Sequence, residues 1–119
     1  MHFLFFYLEV FHIMPKLERD FQSELITEIK ERLPGCIVTK INTRQGLPDL
    51  LVLYKDRWAM LECKRTGSAN RQPNQDYYVD LLDRMSFSRF IYPENKSEVL
   101  DELCETFKSA GAARLSGRE

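Results

Sequence analysis

Gly46-Leu47-Pro48-Asp49-Leu50-Leu51-Val52-Leu53-Tyr54, followed closely by Trp58-Ala59-Met60-Leu61-Glu62-Cys63-Lys64, is the stretch on which the reading of this chain turns. Lys55-Asp56-Arg57 is a short polar turn between two apolar runs, so residues 50 to 64 are expected to form a hairpin. Side chains alternate along a strand, which puts Glu62 and Lys64 on one face and Leu61 and Cys63 on the other. Both runs are nearly continuous in apolar residues, the pattern of strands buried on both faces. Taken singly, Asp49 would cap a turn, and Glu62 and Lys64 would be a solvated pair, because charged residues are mostly surface residues. Inside such runs, the three together need a chemical reason.

Folding the hairpin back brings its open ends together, so Asp49 is expected beside Glu62 and Lys64. Two carboxylates suffice for a hard cation such as magnesium, which otherwise keeps waters and substrate phosphate oxygens. A neighbouring lysine adds positive charge where a phosphoryl oxyanion develops and can orient an attacking water.

Two helices flank the hairpin. Leu17, Phe21, Leu25, Ile29 and Leu33 recur at helical spacing, and Pro34-Gly35 stops the run. At about 100° per residue, Glu18 projects toward the middle of that apolar arc, with Gln22 one turn away and Glu24, Glu28 and Glu31 at its edge or outside. Glu18 suits a third acid pointed at the hairpin and equally a first-turn glutamate favoured by the helix dipole. The second helix starts near Arg71-Gln72-Pro73-Asn74-Gln75 and continues with Tyr78, Val79, Leu82 and Met85 as its apolar face. Gln75 lies at the edge of that face. It would be satisfied by a phosphate or a water in the site, or by backbone at the helix start.

The order Gly46-x-Pro48-Asp49, twelve intervening residues, then Glu62-x-Lys64 resembles the PD-(D/E)xK nuclease superfamily. The Glu18-x-x-Phe21-Gln22 helix before it and the Gln75-x-x-Tyr78 helix after it look most like the virus-type replication-repair nuclease (VRR-NUC) branch. Small phage endonucleases and, more distantly, Holliday junction resolvases share the likeness, which covers roughly residues 17 to 93. The spacing from Gln75 to Tyr78 departs from the four residues typical of RecB-like exonucleases, which argues against a processive exonuclease acting from duplex ends.

The resemblance implies an α/β fold, a restriction-endonuclease-like αβββαβ core with a mixed sheet flanked by helices. It implies magnesium, with manganese able to substitute, held by Asp49, Glu62 and the backbone carbonyl of Cys63. Lys64 would position or activate the nucleophilic water, Glu18 would bind a second metal or a metal-bound water, and Gln75 would steady substrate or Lys64. DNA would be the substrate, cut internally to leave a 3′-hydroxyl and a 5′-phosphate, with a preference for particular DNA structures and a phage-type role in recombination or repair. Two copies would be the simplest way to cut both strands. A binding module that keeps the fold without turnover is the alternative, and the retention of Asp49, Glu62 and Lys64 together argues against it.

The remaining elements fit this core. Cys36 to Asn42 reads as the first strand and Phe87 to Tyr92 as the last, ended by Pro93. Ser97 is expected to cap a helix through roughly Lys108, with Val99, Leu100, Leu103 and Phe107 inward. A single domain over residues 14–108 is expected, with residues 109–119 a disordered tail. The net charge of −1 does not advertise a nucleic-acid partner. Yet Arg44, Gln45, Arg65 and Arg71 cluster in sequence around the site and are the expected backbone contacts, because local potential attracts phosphate.

Three dispersed cysteines without zinc-ligand spacing point to a reduced, cytoplasmic chain. The two histidines, His2 and His12, leave no Cys-His or Ser-His-Asp apparatus and no HNH-type site in the core. The apolar leader, residues 1 to 13, is too short to span a bilayer and lacks a basic start and a cleavage site. With Met14 directly after it, the leader reads as dispensable or as an artefact of start assignment.

Overall fold

The computed structural model describes residues 18–42 and 46–117, with residues 110–117 described by their backbone alone. The leader, Arg44 and Gln45 lie outside the described residues. Helix α1, described over residues 18–32, and the turn after it bury Phe21, Leu25, Ile29 and Leu33, four of the five residues of the expected stripe; the fifth, Leu17, lies outside the described residues. Gly35 then takes a left-handed φ of 89° and turns the chain into the sheet.

Strand β1 (Ile37–Lys40) pairs antiparallel with β2 (Leu50–Tyr54), and β2 pairs antiparallel with β3 (Arg57–Cys63). Helix α2 (Pro73–Met85) carries the chain over to β4 (Ser88–Ile91), which runs parallel to β3. The four-stranded mixed sheet has the order β1-β2-β3-β4. Helix α3 (Lys96–Gly117) completes the fold. This is the expected αβββαβ arrangement with flanking helices.

The two sheet faces are covered differently. Leu50, Val52, Ala59, Leu61 and Cys63 join α1 and the α3 residues Val99, Leu100, Leu103 and Phe107 in one core. Arg32 of α1 bonds Asp101 of α3 at 2.7 Å, and Lys96 pairs with Glu28 at 3.4 Å, so both helices lie on that side. Alternation turns Met60 and Glu62 to the opposite face, where α2 packs on β3 and β4. Residues 59–63 of β3 are therefore buried on both sides, as their unbroken apolar run requires.

For β2 the expectation of double burial is corrected. Its second face extends beyond α2, and Leu53 and its cross-strand partner Ile37 are exposed. Alternation in β2 is masked in sequence because apolar residues occupy both sides.

Two further expectations change at α3. The helix begins at Lys96, so Ser97 lies inside its first turn and is not its cap. Asn95 stands at the entrance: its side chain accepts from the Tyr92 N–H at 2.8 Å and donates to the Phe90 carbonyl at 3.1 Å, while its carbonyl accepts from Val99. An Asn that clasps the end of β4 serves both elements, which a lone Ser cannot reach. At its other end α3 continues past Lys108 to Gly117, through a run whose alanines favour helix more than Gly111 opposes it. Among the described residues no helix is long and apolar enough to cross a membrane.

Candidate active site

The site lies where β2 begins and β3 ends. Pro48 is fully buried and anchors the strand entrance. The next residue, Asp49, receives the Ile41 N–H on its backbone carbonyl at 2.6 Å, and its carboxylate accepts the Cys63 N–H at 2.9 Å. That second bond fixes the acid against the end of β3, a consequence of closing the hairpin in register, and it uses a strand-end donor that would otherwise be left unmade.

Glu62 is 3% exposed, and its Oε2 has no hydrogen-bond partner among the described residues. Burial, then the Asp49 carboxyl by hydrogen bonding and by charge, push its pKa up to about 9, against the opposing pull of Lys64. A buried acid beside a second acid is unstable as a pair of anions. Cys63 points to the other side of the sheet. Burial raises its thiol well above the usual range, the acids Asp49, Glu62 and Glu18 add to that, and Lys40 opposes it.

Lys64 follows on the Glu62 face. Its ammonium donates to Gln75 Oε1 at 2.8 Å and to the Asn70 carbonyl at 3.2 Å. The same Gln75 oxygen accepts the Gln72 N–H at 3.1 Å. The backbone bond expected at the helix start and the bond from Lys64 thus meet on one atom, which ties the start of α2 to the lysine.

Glu18, the first described residue of α1, is half-buried and near enough for its charge to act on Cys63. It does not join Asp49 and Glu62 in a closed cage: among the described residues no three His, Cys, Asp or Glu side chains converge as a metal site. The pair alone would have to hold a cation, with the remaining positions taken by water, backbone and substrate. The donor set fits magnesium, since the orphaned Oε2 and the two competing carboxylates are what a hard cation would satisfy.

Of the expected backbone contacts, Arg65 is exposed beside the site. Arg71 is partly engaged, stacked 3.9 Å over the Phe90 ring and 3.7 Å from Asp76. The contacts of Asn70 and Asn74 escaped sequence reasoning, because a backbone carbonyl acceptor and a packing contact leave no residue-type signature. Gly46 is the exception that did leave a trace. It has a φ of 90°, and a Cβ there would lie 2.6 Å from Asn74 Nδ2, so the motif glycine lets the Asp49 loop dock on α2. Gly46→Ala is therefore expected to cost about 1–2 kcal/mol from the left-handed backbone alone, read as a lower urea midpoint at unchanged slope.

Neither family models nor curated proteins give a match to the chain. Among solved structures, one titled "VRR_NUC domain" aligns over 70% of this chain and 92% of its own length, with a TM-score of 0.51 and 26% identity. In fold and in the order of its Gly46-x-Pro48-Asp49 and Glu62-x-Lys64 elements, the chain is similar to the VRR-NUC branch of the PD-(D/E)xK nucleases.

Proposed function

We propose that this chain is a magnesium-dependent endonuclease that hydrolyses DNA phosphodiester bonds. The observation that carries the reading is Glu62: a buried carboxylate with an unpartnered oxygen, set against Asp49 and followed on the same face by a lysine held in place. A protein has little reason to bury such a group except to bind a cation.

Asp49 and Glu62 would hold the ion, and the Cys63 carbonyl is the backbone candidate beside them. When bound, magnesium would make a water more acidic and offset charge on the phosphoryl oxygens. The protein's own contributions follow from the geometry. Lys64 orients the attacking water and stabilises the negative charge that builds on phosphorus-bound oxygen. Gln75 and the Asn70 carbonyl restrict the ammonium to that position, lowering the reorganisation needed at the moment of reaction. Water adds to phosphorus, the bond to the 3′ oxygen breaks, and the products carry a 3′-hydroxyl and a 5′-phosphate. Glu18 would serve a second ion or a bound water from the α1 side. Arg65 and Arg71 would contact the DNA backbone from the loop after β3, and Arg44 and Gln45, which follow β1 in sequence, would add to them.

The test is cutting of supercoiled plasmid and of a labelled branched duplex in magnesium, manganese and EDTA. Wild type is compared with Asp49→Asn, which keeps an acceptor for the Cys63 N–H, and with Lys64→Ala. Metal-dependent cutting lost by about 10²-fold or more in both variants is expected. Preference for the branched duplex would mark structure specificity. Binding without cutting under every condition would overturn the catalytic reading in favour of a binding module.

A further inference from the structure

Lys40 ends β1, and its position relative to the carboxylates is set by register. It stands opposite Leu50, which stands opposite Leu61; one step further along the strands are Asp49 and Glu62. The Ile41 N–H bonded to the Asp49 carbonyl holds this end of β1 against the site. Alternation puts Lys40 on the side of Val38, which packs on the α1 core, whereas Lys64 lies on the α2 side. The two lysines therefore bracket the acid pair from opposite faces of the sheet.

Their circumstances differ. Lys64 is shared between two protein acceptors. Lys40 is exposed and its ammonium has no hydrogen bond or ion pair among the described residues, though its charge reaches Cys63 at the end of β3. A nucleic-acid backbone brought to two carboxylates meets like charge, and an ammonium that is not already committed can offset that repulsion at little cost. We propose that Lys40 is a substrate-binding residue that takes a backbone phosphate on the α1 side of the carboxylates, so that the strand is held from both faces of the sheet. This rests on the nuclease reading above and adds a contact to it.

The experiment measures binding of a labelled duplex in EDTA from 50 to 200 mM salt, together with steady-state cutting in magnesium. Lys40→Gln is expected to bind about three- to tenfold more weakly at the low-salt end, with a log–log salt slope shallower by about 0.9, the signature of one lost phosphate contact. KM for cutting should rise with kcat unchanged. Lys40→Arg should restore both, and Lys55→Gln, in the hairpin turn at the far end of the sheet, should match wild type. Wild-type affinity and slope in Lys40→Gln, or weaker binding without a change of slope, would overturn the proposal while leaving cutting intact. A changed slope in a protein that never cuts would keep the phosphate contact and overturn the nuclease reading.

Discussion

Replacing Glu62 by glutamine is expected to abolish cutting and, in the same preparation, to raise the melting temperature of the metal-free protein at pH 8. Loss of the carboxylate removes half of the acid pair, for an expected fall in rate of about 10³-fold or more. The stability change follows from proton linkage. Glu62 holds its proton in the folded chain up to about pH 9 but releases it near 4.5 when unfolded. Across that window the folded state binds more protons, so its stability falls as pH rises. Glutamine has no such dependence. The gain should be small at pH 5 and of the order of a few kcal/mol at pH 8, visible as several degrees by thermal scanning in EDTA. Magnesium should narrow the gap by stabilising wild type alone. A variant less stable than wild type at both pH values would show that the Glu62 carboxylate is already satisfied within the protein.

The second large effect concerns α3. Phe107→Ala is expected to destabilise the fold by about 3–5 kcal/mol, a large share of the roughly 5–15 kcal/mol available to a domain. Phe107 is 2% exposed and stacks on Tyr54 with centroids 6.1 Å apart, closing the core over the hairpin end of β2. Chemical denaturation checks the value. Because the residue sits at the end of the sheet away from Asp49, the fraction that remains folded should cut at the wild-type rate. A loss below about 1 kcal/mol would mean that this part of α3 is not a working member of the core.

The hairpin was legible because its polar turn and its apolar runs agree, and because β3 is buried on both faces where its sequence is continuously apolar. The α1 and α3 stripes were legible by their period, and every apolar position named for them among the described residues is buried. The open second face of β2 was not, since Leu51 and Leu53 are apolar whether or not a helix covers them. The start of α3 was misplaced because cap preference does not separate Asn95 from Ser97; what decides is that the Asn95 side chain is bonded to Tyr92 and Phe90 at the end of β4, three and five residues back. At the site, Asp49, Glu62 and Lys64 were brought together by the spacing of a hairpin. The bond from Lys64 to Asn70, the docking of Gly46 on Asn74 and the place of Lys40 depend on loops meeting α2 and on strand register, which sequence alone does not set.

Calorimetric titration of manganese into the metal-free protein at pH 8 tests most directly whether Asp49 and Glu62 form a cation site. Run in two buffers of different ionisation enthalpy, it should show binding by wild type accompanied by proton release, as Glu62 gives up the proton it holds, and no comparable binding by Glu62→Gln or Asp49→Asn. Equal binding by all three proteins, or none by wild type, would contradict the assignment of this carboxylate pair as the centre of the site.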